Sequence, residues 1–532
     1  MPHIPRLETV GAATQLIVDD APFIVLGGQV HNSSSSSLAY MDSKVWDRVA
    51  ALNCNTAILP VYWELIEPVE GAFDFSLVDG LLEGARARGL RLILLWFGTW
   101  KNTHSTYAPA WVKTDLQRFP RAQKRAGENS GTISCLATAA RDADARAFAA
   151  FMRHLGNVDR DHRTVIMVQV QNETGLLQAS REHSEAANAA FAKDVPQVLL
   201  DHVSRNVDTL HPAFRALWQA AGSRTSGTWS EVFGTGADET FMAWHIATYV
   251  ETIAAAGARE YPLPLFTNTW LVSEPGEEPG SYPSGGPVSR MMDVWHLAAP
   301  HIFTLAPDIY SPDFVNICAD YHRGDNPLLI PETTRECTLG PKCLYAIGRH
   351  SALCFAPFGI ESIDSPDVVY VEGPVVDGSV KYTEYGVGDV LSKTYRVLRS
   401  LMPLITKYQG TGAVTGFLQQ DSDEAFIEFG GYRLRIRYTD IANDSLMPGG
   451  GIVINTAPDA FVVAGVRCQI DFIMPEGSDR TVEYLALDEG EYVDGEWRQL
   501  RRLNGDERAL RLLNEPVIRR VLLHNFTING KD

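Results

Sequence analysis

Residues 165–175 read Val-Ile-Met-Val-Gln-Val-Gln-Asn-Glu-Thr-Gly, and this stretch decides the fold. Five of its first six side chains are apolar. That is the pattern of a strand covered on both faces, as in a parallel sheet, and not the alternation of a strand with one wet face. An amphipathic helix precedes it, with Phe148, Met152 and Leu155 on one side of residues 142–155. Helix followed by buried strand is half of a repeating unit.

The unit recurs in both directions. Toward the N-terminus, Phe23–Leu26, Thr56–Tyr62 and Leu92–Phe97 predict strands. Between them lie a helix with Val45, Val49 and Leu52 closing at Asn53, and a second capped by Ser76, carrying Val78, Leu81, Leu82 and Ala85 and stopped by Gly89. Toward the C-terminus, strands are predicted at Pro264–Thr267, His301–Leu305, Leu328–Ile330 and Ala352–Phe355. Met242, Ile246, Tyr249 and Ile253 mark a helix ended by Gly257, and residues 390–405 form the last helix of the series. Eight strands alternating with helices imply an α/β fold of parallel units, and the count favours a closed (β/α)8 TIM barrel over an open sheet. Residues 176–236 and 274–287 read as rim insertions, and Ser33–Ser37 as a loop over the barrel mouth or a flexible tether.

Near residue 410 the period changes. Tyr432, Leu434, Ile436 and Tyr438 alternate with Arg433, Arg435 and Arg437, which is an antiparallel strand with one solvated face. Asp494-Gly495 and Asn504-Gly505 are hairpin signals. The expected domains are a barrel over 1–410 and a smaller all-β sandwich-like domain over 411–532.

Composition sets limits on function. With 46 basic against 65 acidic residues the net charge is −19, so a surface built to neutralise nucleic-acid phosphates is excluded. Seven cysteines in 532 residues are too sparse for a disulfide framework and read as reduced, mostly buried thiols. No apolar run reaches membrane-spanning length. The start lacks a leader pattern, so the chain reads as soluble and cytoplasmic; a periplasmic or secreted chain trimmed of its leader would read the same. Assembly into a homo-oligomer is compatible with all of this.

In such a barrel the chemistry sits just after the strands. Two glutamates stand there: Glu173, preceded by Asn172, after the fourth strand, and Glu332, in Pro331-Glu332-Thr333, after the seventh. Strands four and seven face each other across a barrel of eight. Paired carboxylates serve glycosidic cleavage, one protonating the leaving oxygen and the other attacking the sugar carbon. Asn172 supplies a donor for a sugar 2-hydroxyl. Trp63, Trp96, Trp100 and Trp270 lie at strand ends, where an indole can pack on the C–H face of a sugar. His31 follows the first strand and lines the site in this reading. No cluster with metal spacing and no nucleotide-binding loop is visible, so no cofactor is expected.

These motifs resemble glycoside hydrolase clan A, and within it the β-galactosidases of families 35 and 42. Val168–Gly175 is similar to the acid/base motif V-Q-I-E-N-E-Y-G. Leu329-Ile330-Pro331-Glu332 looks like the nucleophile strand, Trp63-Glu64-Leu65-Ile66-Glu67-Pro68 with Gly71, Phe73, Asp74 and Phe75 like the strand-two signature, and Ala356-Pro357-Phe358-Gly359 follows strand eight. The resemblance implies Glu173 as acid/base, Glu332 as nucleophile, Asn172 as 2-hydroxyl ligand and Tyr310 as the tyrosine that hydrogen-bonds the nucleophile. It departs at Glu64, where family 35 has Asn, and at Trp96–Asn102, where it has R-P-G-P-Y, so Glu64 and Asn102 are candidate sugar contacts of a different kind. The activity implied is a retaining, exo-acting β-galactosidase on oligosaccharides. An arabinosidase, β-mannosidase, β-xylosidase or non-catalytic sugar-binding barrel is the alternative.

Overall fold

The computed structural model describes residues 3–272, 274, 276–364, 386–438 and 447–527. Residue 275 of the expected rim loop, and residues 439–446 and 528–532 of the expected C-terminal domain, lie outside the described residues. Eight parallel strands form one sheet: β1 (Val25–Gln29), β2 (Thr56–Tyr62), β3 (Arg91–Phe97), β4 (Val165–Val170), β5 (Leu265–Trp270), β6 (Ile302–Ile309), β7 (Glu332–Thr333) and β8 (Cys354–Phe355). Their hydrogen-bonded order is β7-β6-β5-β4-β3-β2-β1-β8. Closure comes from a parallel bridge between Ile330 and Phe355, in which Ile330 N donates to Cys354 O and Ala356 N to Ile330 O, both at 3.0 Å. The (β/α)8 barrel is thus present. Every residue of β2 and β4 is buried, as expected of strands covered on both faces.

The chain falls into two compact units, residues 1–6, 30–46 and 56–311 in one and 7–29, 47–55 and 312–532 in the other. In the first, helices α1 (Ser76–Arg86), α2 (Thr138–Val158) and α3 (Ala237–Glu260) pack outside β2–β5. Alternation sends Trp96 outward onto Phe148 and Phe151 of α2, ring centroids 5.4 Å away. The next side chain, Phe97, turns inward to meet Tyr62 edge-on at 6.1 Å. Gly257 does not end α3, which runs on to Glu260. A Cβ at Gly257 would lie 2.2 Å from Phe148 Cε1, so its role is close approach of α3 to α2. Ser76 does not cap α1 with its side chain. Asp74 Oδ1 accepts from Ser76 N at 2.9 Å instead. Ser34–Ser36 form a 3-10 turn, with Ser35 Oγ donating to Pro60 O at 2.7 Å; this segment is packed and is no tether. The 176–236 insertion carries four short helices.

In the second unit, α4 (Leu339–His350) and α5 (Val387–Tyr408) precede the antiparallel strands. These form a six-stranded and a four-stranded sheet around a core that includes Leu434, Ile436, Phe461, Val463 and Leu487. Tyr432–Tyr438 shows the expected alternate burial, and its arginines pair with acids of neighbouring strands, Arg437 with Asp471 at 2.7 Å and Arg435 with Glu424. Asp494-Gly495 turns a hairpin with both φ values positive, 51° and 81°. Asn504-Gly505 does not: Asn504 caps a 3-10 turn over Gly505–Glu507. A three-stranded N-terminal sheet and a hairpin over residues 121–133 add to the expected elements. All seven cysteines are free.

Candidate active site

The first unit holds the first half of the candidate machinery. Glu173 follows β4 and is buried. Its backbone is left-handed at φ 45°, a conformation rarely adopted by a residue with a Cβ. Three contacts fix it. Asn102 Nδ2 donates to its Oε2, Thr103 N donates to its carbonyl at 3.1 Å, and its own N–H donates to Asn268 Oδ1 at 2.9 Å. Because the Asn268 oxygen is taken by that N–H, its amide nitrogen points the other way and donates to Asp308 Oδ2 at 2.6 Å. Carboxylate oxygens of Glu173 and Asp308 come within 4.8 Å of one another. Asn268 thus links the Glu173 backbone to the Asp308 carboxylate, while the Glu173 carboxylate takes its N–H from Asn102.

Asn172 is fully buried, and neither its Oδ1 nor its Nδ2 has a hydrogen-bond partner among the described residues. An unsatisfied buried amide is costly. A polar group aimed at a ligand is the ordinary reason for keeping one.

The second unit holds the other half. Glu332 in β7 is buried, and Gln29 Nε2, at the end of β1, donates to its Oε2 at 2.7 Å. Gln29 is itself fixed through N to Pro357 O at 3.0 Å, so the segment after β8 helps to set the donor that holds Glu332.

The other predicted residues divide. Trp63 and Trp96 are 0 % exposed and Trp100 is 2 % exposed, so none of the three presents an indole to a sugar. Trp63 donates to Glu67 Oε2 at 2.8 Å, Trp96 to Asp144 Oδ1 at 2.8 Å and Trp100 to Ile133 O at 3.1 Å. Their large apolar area is used in packing between strands, loops and helices. Trp270, half-buried at the end of β5, alone keeps the accessible surface a platform needs. Glu64 pairs with Lys113 at 3.0 Å. His31 is half-buried, and its carbonyl accepts from Ser34 N at 3.0 Å, opening the 3-10 turn. Tyr310 follows β6 and is 40 % exposed.

Sequence reading missed Gln29, Asn268 and Asp308. Gln29 and Asp308 are polar residues near the ends of mostly apolar strands, which was the available signal, whereas Asn268 sits between Thr267 and Thr269 and does not stand out. Asp308 escaped because β6 runs to Ile309, four residues beyond its predicted end.

Residues 43–242 match the family described as beta-galactosidase. Glu173 lies within the segment that is similar to that family. The motif resemblance to family 42 therefore holds over that stretch. Residues 391–513 match a second family, described as a domain of unknown function. A β-galactosidase of Xanthomonas manihotis is 29 % identical over 196 residues, which is 36 % of this chain and 30 % of that protein. The alignment thus spans under a third of that relative's length. Among solved structures, the cold-adapted β-galactosidase of Rahnella sp. R3 is 17 % identical with a TM-score of 0.46, over 72 % of this chain and 57 % of that one. A catalytic mutant of a family 42 β-galactosidase from G. stearothermophilus is 12 % identical with a TM-score of 0.47, over 93 % and 98 %. Among the described residues no helix is long and apolar enough to cross a membrane.

Proposed function

We propose that this protein is a retaining, exo-acting β-galactosidase that removes terminal β-galactosyl groups from oligosaccharides. One observation carries the reading: Glu173, buried and held by Asn102 at the end of β4, lies in the segment that matches the β-galactosidase family. In the proposed reaction Glu173 protonates the leaving oxygen while Glu332 attacks the anomeric carbon. Water then breaks the glycosyl-enzyme with Glu173 as base. Gln29 orients Glu332 for attack. Asn172, with its amide unsatisfied, takes the sugar 2-hydroxyl. Tyr310, His31, Glu64 and Trp270 are proposed as further substrate contacts, the barrel over 1–410 as the catalytic domain and 411–532 as its support.

A retaining mechanism requires the two carboxyl groups to lie about 5–5.5 Å apart. The test is a panel of nitrophenyl glycosides, with the anomer released from the best substrate followed by NMR. β-Galactoside hydrolysis that first releases β-galactose supports the reading. First release of α-galactose refutes retention, and turnover of a β-mannoside, β-xyloside or arabinoside in place of the galactoside refutes the sugar assignment.

A further inference from the structure

We infer that Asp144, on the outer helix α2, is a positioning residue for the acid/base. This rests on the assignment of Glu173 to that role. Asp144 is 0 % exposed, and among the described residues its carboxylate is held by neutral donors with no cation among them. Its Oδ1 accepts from Trp96 Nε1 at 2.8 Å. Its Oδ2 accepts from Thr99 N at 2.8 Å, Thr99 Oγ1 at 2.7 Å and Gln171 Nε2 at 2.7 Å. One carboxylate therefore ties the end of β3, the loop after it and the loop after β4 to a single point.

From that point the two loops are linked step by step toward the site. Gln171 Oε1 accepts from Trp100 N at 2.8 Å. Asn172 N donates to Trp100 O at 3.2 Å and Thr103 N to Glu173 O at 3.1 Å. The last link is the Asn102 amide on the Glu173 carboxylate. The arrangement is held against local preference. Asn102, Thr103, Gln171 and Glu173 have φ of 49°, 63°, 64° and 45°, four left-handed residues with side chains in two facing loops. Such conformations persist only where the surroundings over-determine them. Gly98 makes room for the anchor, since a Cβ there would lie 2.6 Å from Asp144 Oδ2 and 2.7 Å from Gln171 Nε2.

Stability alone is a poor reason for this carboxylate. Burial pushes its pKa above the ordinary value in spite of its four donors, and burying a carboxylate without a counter-charge is costly. What the anchor provides is a fixed position for Asn102 against Glu173.

The test compares kcat/KM on two aryl β-galactosides, one with 2,4-dinitrophenol, which leaves without a proton, and one with unsubstituted phenol, which needs the acid. Asp144→Ala should lose about 30-fold or more on the phenyl substrate and less than about 3-fold on the dinitrophenyl one, in line with the penalty for roughly ångström misplacement of a catalytic group. Asp144→Asn should restore only part of the loss, because its amide oxygen can keep the three contacts of Oδ2 while its NH2 meets the Trp96 N–H, donor against donor. Thr99→Val removes one donor without touching the charge and should show the same split in weaker form; it decides the matter if Asp144→Ala does not fold. Equal losses on both substrates would overturn the inference and leave a structural role only. A wild-type enzyme inert on every aryl glycoside would instead remove the proposed function, and this inference with it.

Discussion

Asn172→Ala separates a residue kept for function from one kept for stability. Both polar atoms of the Asn172 amide are buried and have no hydrogen-bond partner among the described residues. An unsatisfied buried donor or acceptor costs about 1–3 kcal/mol, and no described protein group supplies the amide with a compensating hydrogen bond. Removing the amide should therefore leave the thermal midpoint unchanged or raise it, whereas most core truncations lower it. A hydroxyl that meets the amide in the transition state recovers about 1–3 kcal/mol, or about 5- to 150-fold in kcat/KM. The assay is a four-way cycle: wild type and Asn172→Ala, each on 2,4-dinitrophenyl β-galactoside and its 2-deoxy analogue. The cycle cancels the higher intrinsic reactivity of the 2-deoxy sugar. A coupling of about 1–3 kcal/mol is expected. A coupling below about 0.5 kcal/mol, within ordinary additivity error, would refute the contact. A large fall in the midpoint would refute the claim that the amide is unsatisfied in the free protein.

Azide should rescue Glu173→Ala on activated substrates and give the β-galactosyl azide, and with Glu332→Gly it should give the α product; exchanged configurations would reverse the two roles. Stability should fall below about pH 6.5, because burial holds His245 down at about 4 and His350 at about 3, so the unfolded chain takes up protons that the folded chain refuses. Each histidine should lower the unfolding free energy by about 2 kcal/mol at pH 5 relative to pH 8, measured by urea denaturation, and His245→Phe should flatten that slope; an unchanged slope would contradict it. Gly257→Ala should cost about 1–3 kcal/mol despite the better helix propensity of Ala, since Phe148, 2.2 Å from the new Cβ, is itself fully buried. Truncation after residue 408 should lower solubility or the thermal midpoint before it touches chemistry, and a soluble, equally stable fragment would count against a supporting role for the β-domain.

The barrel was legible because its strands are apolar on both faces, and the same property hid part of the site. In β3, whose last six residues are all buried, sequence gives no parity: Trp96 and Phe97 are equally hydrophobic, yet one packs on α2 and the other faces the barrel interior. Trp96 therefore passed for a sugar platform. The two glutamates were legible because a carboxylate closing an apolar strand has few structural reasons to be there. Their partners were not. Gln29 reaches Glu332 across 303 residues, and Asn102 meets Glu173 through left-handed residues that are not glycine, so neither contact leaves a local pattern. Asn and Asp tolerate that conformation better than most, but Gln171, Thr103 and Glu173 have no such preference. Their conformation is imposed by the loops that hold them. A site whose geometry opposes local propensity is legible only where its chemistry, two carboxylates and an adjacent amide, is unusual enough to stand out from the strand that carries it.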